Sequence, residues 1–455
     1  MPLNRRTLLA SMASTLALPA TRSLGAADPA ILEAMPAMAR LLPPEYPETP
    51  IWSYGGTVPG PVIRARQGAP LARRLVNRLE QPTAVHWHGL RIDNAMDGVP
   101  ELTQTAVAPG KSFDYAFTPP DAGTFWYHSH NRSWEQMARG LAGALIVEET
   151  EGAPEVDHDL VLMIDDWRLT EQGTISDDFG ALHDWAHNGR LGNWLTVNGL
   201  EEVVQPAAPG ARLRLRLVNC ANARIFDLSA RGLEGWVVAL DGMPLEQPQP
   251  LAGVTLAPGA RADLLVDVVG EAASLDFDGG DQIFPLARFP AEGPAQARRP
   301  APGPLPPNPV PTLGNMGNAR GLRLVMEGGA MGGMQGATYQ GKRLSPRELA
   351  AEGMAWAFNG QAGMPDEPLA EIARGETVAI EIENRSAWPH AMHLHGHHFR
   401  EIRDSRPGPL RDTILMDGNA TTRIAFVADN PGDWLLHCHM LEHAASGMMT
   451  WLRVS

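Results

Sequence analysis

The sequence predicts an all-β protein built from three related domains, and three observations support this prediction. The chain has 455 residues, 44% hydrophobic and 20% charged, which suits a globular protein of two to four domains. It contains 40 prolines and 46 glycines but few long helical patterns, so short strands joined by turns are favoured. The third observation is an internal repeat.

The repeat is a turn glycine followed nine residues later by an asparagine that closes a β-patterned strand. Its three copies span residues 68–77, 210–219 and 375–384. Equal spacing in all three indicates related β domains, which we place at residues 27–150, 151–300 and 345–455. Pro-rich, strand-poor sequence begins near residue 285, and we expect a linker rich in Pro, Gly and Met at residues 301–344.

The N-terminus has the pattern of a twin-arginine export signal. Arg5 and Arg6 precede a modest apolar run to about Pro19, and small residues follow at positions 25–27. That run is too short to span a bilayer permanently. We therefore expect a signal peptide at residues 1–26, recognised by the twin-arginine translocase, and a soluble periplasmic protein without a membrane anchor. A disordered basic N-terminus is the alternative interpretation.

The net charge of the chain limits the classes of partner that it can bind. The formal net charge is −15, and removal of residues 1–26 takes away three arginines and no acidic residue, which lowers it to −18. This balance argues against nucleic acid and anionic membranes as partners. An acidic surface suits cationic substrates or metal ions, although solubility explains it equally well. We expect the mature chain to be a monomer.

The motif richest in potential ligands lies near the C-terminus, where one of two cysteines stands among three histidines at residues 437–443. On a strand, His437 and His439 point to one face and Cys438 to the other, so one segment can serve two metal sites. With His443 and Met448, Cys438 completes the thiolate, imidazole and thioether set of blue-copper centres. Zinc sites also use Cys and His, which leaves zinc or a structural cysteine as alternatives.

The first and third repeats also share paired histidines at equivalent positions. The pairs are His86 and His88, His128 and His130, His393 and His395, and His437 and His439. Since the members of a pair are two residues apart, both rings can face one side of a strand, and four pairs can meet at a domain interface. Eight imidazoles suit three copper ions. The second repeat has residues 228–230 where a pair would fall, so we interpret the second domain as a spacer.

His390 precedes His393 by an odd offset of three, which turns it toward the face of Cys438. It becomes the second imidazole of the blue site, beside His443. If Cys438 is a ligand, Cys220 has no cysteine partner, so we expect no disulfide.

With these motifs in place, the chain resembles the three-domain multicopper oxidases, the laccase-like family built from cupredoxin domains. The resemblance spans the mature chain and includes residues 59–64 and 123–127. It implies cupredoxin-like Greek-key β-barrel or sandwich domains and four copper ions. By residue, it implies a type 1 copper at His390, Cys438, His443 and axial Met448, a type 2 copper at His86 and His393, one type 3 copper at His88, His128 and His439, and the other at His130, His395 and His437.

The resemblance also implies the activity. A small reducing donor gives single electrons to the type 1 copper, Cys438 joins that site to the trinuclear cluster through its neighbours, and four electrons reduce dioxygen to two waters. Asp97, before Gly98, resembles the family's acidic residue beside the oxygen-reducing cluster and could donate protons or orient a ligand. A simple turn aspartate is the alternative. The acidic pair that follows the last histidine ligand in bacterial cuprous oxidases is replaced here by residues 444–445.

Two further features bear on the donor. Met326, Met331 and Met334 lie in a Gly-rich run that resembles, in reduced form, the methionine-rich insert of periplasmic cuprous oxidases, because thioethers favour Cu(I). A flexible loop with incidental methionines is equally compatible. His183 and His187 have the spacing of one helical face and could bind a metal, but no third ligand accompanies them, so we interpret them as surface residues.

Oxidation of Cu(I) for copper tolerance is our leading hypothesis. Laccase-type oxidation of phenols or aromatic amines is the second. A non-enzymatic periplasmic scaffold or copper-binding protein is the third, although no predicted ligand is missing from the sequence.

Overall fold

A computed structural model describes residues 29–455, and it confirms the all-β prediction with 32 strands and four short α-helices. The predicted signal peptide, residues 1–26, lies outside the described residues. No helix among residues 29–455 is long and apolar enough to cross a membrane. The strands form three successive units, each with two main sheets.

The first unit packs two four-stranded sheets, ordered β2-β1-β4-β6 and β3-β8-β7-β5. Their strands are β1 (Ala30–Ala39), β2 (Thr49–Tyr54), β3 (Gly60–Arg66), β4 (Leu71–Asn77), β5 (Val85–His88), β6 (Ser112–Phe117), β7 (Gly123–Ser129) and β8 (Ala142–Glu148). Leu75 of the first sheet and Phe125 of the second share one core. Helix α1 (Ser133–Gln136) and a 3-10 turn (Asn94–Met96) complete the unit.

The second unit has sheets ordered β10-β9-β12-β17-β14-β15 and β11-β19-β18-β13-β16. Its elements are β9 (His158–Trp167), α2 (Leu182–Ala186), β10 (Trp194–Val197), β11 (Val203–Val204), β12 (Arg212–Asn219), β13 (Phe226–Arg231), β14 (Leu233–Leu240), β15 (Met243–Pro250), β16 (Val254–Leu256), β17 (Arg261–Val268), β18 (Ala272–Asp278) and β19 (Ile283–Pro290). Leu215 and Phe226, from opposite sheets, pack in its core.

The third unit has sheets ordered β23-β20-β25-β30-β27-β28 and β24-β32-β31-β26-β29, with a β21-β22 hairpin. Its elements are β20 (Arg320–Gly328), β21 (Ala337–Tyr339), β22 (Lys342–Leu344), α3 (Pro346–Ala351), β23 (Trp356–Phe358), β24 (Ala370–Ile372), β25 (Thr377–Asn384), β26 (His390–Leu394), β27 (Phe399–Arg403), β28 (Arg406–Arg411), β29 (Thr413–Met416), β30 (Thr421–Val427), β31 (Gly432–Cys438), α4 (Leu441–Ala445) and β32 (Met449–Val454). Ile380 and Leu436 pack together between its sheets.

The glycine-to-asparagine repeat has one structural role in all three units. It forms β4, β12 and β25, and each of these pairs in parallel with the first strand of its unit. Asn77, Asn219 and Asn384 are buried, and each side-chain oxygen accepts the backbone N–H two residues on. Each side-chain amide donates to two backbone carbonyls. The repeat therefore marks a strand end whose buried polar groups are fully satisfied.

Part of the predicted linker at residues 301–344 belongs to the third unit, as its first strand shows. Met326 of β20 faces Asn384 as Ala34 faces Asn77 in the first unit, so β20 is the first strand of the third unit. Strands β21 and β22 also lie inside the expected linker. Strand β19, residues 283–290, lies where the Pro-rich sequence begins, before that linker. Between β19 and β20, the described chain has only a 3-10 turn, Met316–Asn318. In β19, Pro285 lies where the pairing with β18 shifts register and Pro290 ends the strand, so both prolines occupy positions that a strand tolerates.

Candidate metal centre

Strand pairing places the predicted histidines side by side. In the first unit β5 pairs with β7, which sets His86 opposite His128. In the third unit β26 pairs with β31, which sets His393 opposite His437 and Met392 opposite Cys438. The period-two alternation of a strand then sends the histidines to one face of β31 and the cysteine to the other.

The four histidine pairs meet between the first and third units in what we call the histidine cluster. Its members are His86, His88, His128, His130, His393, His395, His437 and His439. Rings from the two units stack directly: the His86 and His395 centroids are 3.9 Å apart, and those of His88 and His393 are 3.8 Å apart. The structure therefore brings together all eight residues that the sequence analysis grouped.

Within the cluster, several sets of ligand atoms lie close enough to share an ion. The side-chain ligand atoms of His130, His395 and His437 lie within 4.8 Å of one another, which is one of the predicted type 3 sets. In the other predicted type 3 set, the ring of His439 lies 5.0 Å from that of His88 and 5.3 Å from that of His128. His86 and His393, the predicted type 2 pair, have ring centroids 5.9 Å apart.

Hydrogen bonding leaves specific ring nitrogens free for a metal. The Nδ1 atoms of His86, His128 and His393 lie 2.8, 3.0 and 2.9 Å from backbone carbonyl oxygens. Their Nε2 atoms are buried and have no hydrogen-bond partner among residues 29–455. An imidazole that donates one N–H to a carbonyl and keeps its other nitrogen free is the usual arrangement of a metal ligand. Buried polar atoms without partners are costly, so these residues fit a bound cation.

In most of the histidine cluster, the surroundings favour the neutral imidazole that metal binding needs. Burial, and then the neighbouring imidazoles, lower the pKa of most members well below the usual range, which keeps the rings neutral. These members are His88, His128, His130, His395, His437 and His439.

On the opposite face of β31 lies a second site, the thiol cluster, formed by His390, Cys438 and His443. The two Nδ1 atoms are 3.1 Å apart, and each is 3.7 Å from the Cys438 sulfur. The His390 Nε2 lies 2.9 Å from the Ser386 hydroxyl, so its Nδ1 remains available. Met448 is fully buried in the same core, and its carbonyl accepts a hydrogen bond from the Cys438 N–H at 3.1 Å. The set has the soft composition of a blue-copper site.

Burial raises the pKa of the Cys438 thiol to about 12. Without a cation the sulfur would therefore stay protonated at neutral pH, whereas a coordinating metal ion displaces the proton. The donor set and its burial fit a metal ion at the thiol cluster. Because Cys438 is bonded to both His437 and His439, the two clusters are adjacent along the chain.

Asp97 lies between histidines of the two units. Its carboxylate is 2.9 Å from His395 Nδ1 and 3.2 Å from His86 Nδ1, and its backbone carbonyl is 2.8 Å from the same His86 atom. It is buried directly after the Asn94–Met96 turn. Asp97 thus holds a turn and contacts two predicted copper ligands, while its role in proton donation stays a prediction.

Replacing Asp97 with asparagine should reduce steady-state oxygen consumption by roughly 10- to 100-fold, the usual cost of losing a carboxylate that supports a ligand histidine. The blue absorption and its anaerobic bleaching by donor should persist, because the thiol cluster is on the other face of β31. Asp93→Asn is a matched control, since Asp93 is exposed and only caps the same turn. An unchanged rate in Asp97→Asn would remove Asp97 from the oxygen-reducing machinery.

A buried charge network, which no sequence motif indicated, lies behind the histidine cluster. Asp412 lies 3.3 Å from His88 Nε2, and its backbone carbonyl lies 2.9 Å from His393 Nδ1. Arg261 donates to both Asp412 carboxylate oxygens at 2.7 and 2.6 Å. Arg261 comes from β17 of the second unit, so that unit contributes a buried charge behind the histidine cluster although it has no histidine pair of its own. Asp412 has no motif of its own, and only its position beside β29 could have drawn attention to it.

His397 and His398, which the sequence analysis did not assign as ligands, are both buried. His398 contacts Asp412 at 3.4 Å and therefore belongs to the charge network. His397 packs against Phe426 and Trp434, at centroid distances of 5.3 and 5.7 Å.

The methionines of the Gly-rich run differ in their exposure to solvent. Met326 is fully buried in β20, and Met334 and Met354 pack around the small core of Leu349. Of the three methionines in the Gly-rich run, Met331 alone is largely exposed, at 81%. Met326 is therefore part of the core of the third unit and is not exposed to a substrate ion, whereas Met331 is accessible from solvent.

The chain matches known proteins along most of its length. Two multicopper oxidase family models match residues 37–152 and 340–455. The crystal structure of Lac15 from a marine microbial metagenome is 43% identical, covers 94% of this chain and all of its own, and has a TM-score of 0.77. A multi-copper oxidase from Pseudomonas thermotolerans is 34% identical, with 93% and 98% coverage and a TM-score of 0.81. Multicopper oxidase MmcO of Mycobacterium tuberculosis is 29% identical over 88% of this chain and 82% of its own length.

Proposed function

The chain belongs to the multicopper oxidase family, and from that premise we propose that its physiological donor is Cu(I) and that it serves copper tolerance in the periplasm. As a multicopper oxidase, it is an enzyme that takes electrons from a reducing substrate and passes them to dioxygen. The choice of Cu(I) as that substrate is supported by the way the thiol cluster is covered.

We further propose that the chain holds four copper ions. The ligand sets would be His390, Cys438, His443 and Met448 for type 1, His86 and His393 for type 2, and His88, His128 and His439 with His130, His395 and His437 for the two type 3 ions. When bound, these ions supply one-electron transfer and the four-electron reduction of dioxygen to water. The chain orients the ligands: carbonyl and carboxylate acceptors hold one nitrogen of several histidine rings, which leaves the other nitrogen for the metal. Asp97 can hold or move a proton at His395 Nδ1.

A small donor is supported by the way the His187 backbone covers the His443 ring. The ring is fully buried, and its Nε2 donates to the backbone carbonyl of His187 at 2.7 Å. A phenol would have to displace this hydrogen bond to touch the ring. A metal ion bound on the outer surface would not, because an electron can pass inward through the hydrogen-bonded backbone. The arrangement therefore favours an ion over an aromatic substrate.

We expect purified, copper-loaded protein to consume oxygen with Cu(I), supplied as its acetonitrile complex, at a kcat/KM at least about tenfold above that with 2,6-dimethoxyphenol, equivalent to roughly 1.4 kcal/mol of transition-state preference. Heat-denatured protein with the same copper content corrects for uncatalysed oxidation. Efficient phenol oxidation without Cu(I) oxidation would support the laccase-type function instead. Binding of copper without turnover of either donor would support a storage or scaffold protein.

Periplasmic export rests on the pattern around Arg5 and Arg6. We expect Arg5→Lys, Arg6→Lys protein to remain in the cytoplasmic fraction while the unaltered chain is recovered in the periplasmic fraction, because twin-arginine signals depend on that pair. A single arginine replacement at Arg22 is the matched control. Equal periplasmic recovery of the double variant would contradict the proposal.

A further inference from the structure

Helix α2 of the second unit is anchored directly on the thiol cluster of the third. The carbonyl of His187, one residue after the helix, accepts the hydrogen bond from His443 Nε2. The carbonyl of Trp185 accepts from the indole N–H of Trp356 at 2.6 Å. The Trp356 ring in turn lies 4.5 Å from His443 and 4.9 Å from His390. The backbone at residues 185–187 thus contacts His443 directly and His390 through the Trp356 ring.

The outer side of this segment carries a pair of histidines. The rings of His183 and His187 stack at 4.2 Å with an interplanar angle of 10°, and the His183 side chain is 78% exposed. The His187 Nδ1 lies 3.0 Å from the His183 carbonyl, which makes Nδ1 the donor and leaves the Nε2 lone pair free. A histidine whose Nδ1–H is held by a carbonyl is oriented as metal ligands are. Two imidazoles on one helical face can chelate a single ion.

The segment that carries Met331 contacts the backbone of α2. The backbone N–H of Ala330 donates to the Ala186 carbonyl at 2.6 Å, and the indole N–H of Trp388 donates to the Ala330 carbonyl at 2.9 Å. The Trp388 ring is 5.2 Å from that of His187. Met331 follows Ala330 with a φ of +61° and is the exposed methionine of the run. A segment distant in sequence therefore contacts the backbone of α2 through Ala330, and the exposed Met331 is the next residue of that segment.

We propose that His183 and His187 form the binding site for the Cu(I) substrate, with Met331 as a third, soft ligand. This site rests on the proposed function, whose donor it binds. Each bound Cu(I) loses one electron, leaves as Cu(II), and sends the electron through the His187 backbone and its hydrogen bond to His443. Four such electrons, four protons from solvent and one dioxygen give two waters, so the reaction balances with the family's own acceptor. Imidazole and thioether ligands suit a soft monovalent ion.

The test uses copper-loaded protein and the variants His183→Ala and His187→Ala. The His187 variant keeps its backbone carbonyl, so the contact with His443 is retained while the imidazole is removed. Binding is measured by calorimetric titration with Ag⁺, a redox-inert ion of the same charge and softness as Cu(I). Turnover is measured as the ratio of kcat/KM for Cu(I) to that for 2,6-dimethoxyphenol. His158→Ala is the matched control, because His158 lies at the start of β9 in the same unit, outside the pair.

We expect one Ag⁺ equivalent to bind the unaltered protein and to be lost in both variants. The Cu(I)-to-phenol ratio should fall by at least about tenfold, the low end for damage to a metal site. The His158 control should match the unaltered protein in both measurements. If the unaltered protein oxidises Cu(I) and both variants do so equally, the site assignment is overturned while the proposed function stands. If the unaltered protein oxidises phenol but not Cu(I), the proposed function fails, and the substrate site fails with it.

Discussion

Replacing Cys438 with serine is expected to abolish the blue absorption of the copper-loaded protein and to lower donor oxidation by more than about 100-fold, beyond the range typical of losing a group that only supports a ligand. The sulfur is the one thiol within 3.7 Å of both Nδ1 atoms of the thiol cluster in the described chain. A serine hydroxyl is a hard, weakly acidic donor that does not replace a thiolate toward copper. Visible absorption, oxygen consumption and copper content per chain provide the measurements.

The histidine cluster should keep its metal in this variant, since His437 and His439 point away from position 438. We therefore expect three copper ions per chain in place of four. Cys220→Ser is the matched control: Cys220 is also buried, but its sulfur lies 3.2 Å from the Ile164 carbonyl, which a hydroxyl can also contact. Retained blue colour in Cys438→Ser, or lost colour in Cys220→Ser, would contradict the assignment of the thiol cluster.

Replacing Arg261 with leucine is expected to destabilise the protein by roughly 3–5 kcal/mol, the usual cost of removing one partner of a buried ion pair. Both residues of the pair with Asp412 are fully buried. Burial by itself would raise the pKa of Asp412, but Arg261 and the nearby histidines hold it well below its usual range. Without Arg261 the carboxylate would be left uncompensated beside His88. Urea unfolding of the copper-loaded protein, followed by tryptophan fluorescence, measures the change.

Two further variants distinguish the loss of the buried ion pair from the loss of stability that any arginine replacement could cause. Arg385→Leu removes an exposed arginine that pairs with Glu383 at the surface, and it should change the unfolding transition little. Adding Asp412→Asn to Arg261→Leu should recover part of the lost stability, because the uncompensated charge is removed. If Arg261→Leu unfolds like Arg385→Leu, the charge network does not stabilise the junction between the second and third units.

Local patterns predicted much of this molecule. Alternation along a strand placed His437 and His439 opposite Cys438, and the odd offset of His390 placed it beside His443. The glycine-to-asparagine repeat predicted three related strands, each of which pairs in parallel within its own unit. These predictions depend on backbone geometry within a few residues, which the sequence encodes directly.

The errors came from relations between distant segments. Residues 320–328 looked like linker because their role as a first strand is set by pairing with β25. The second unit lacks histidine pairs, and no local pattern predicted that its Arg261 reaches Asp412 across 151 positions. His183 lies at the surface as predicted, but the contact of the His187 backbone with His443 was not predicted, because a carbonyl, which any residue carries, makes it.

The sequence by itself determined which residues can bind copper and which face of a strand each one occupies, since side-chain type and strand period are local properties. Only the tertiary structure decided which strands meet, which acidic group lies behind the histidines, and which segment covers His443. Those outcomes depend on how three sandwiches pack: Trp126, Val218 and Leu441, one from each unit, are buried in a single cluster. Packing of that kind is a property of whole surfaces, and no short motif specifies it.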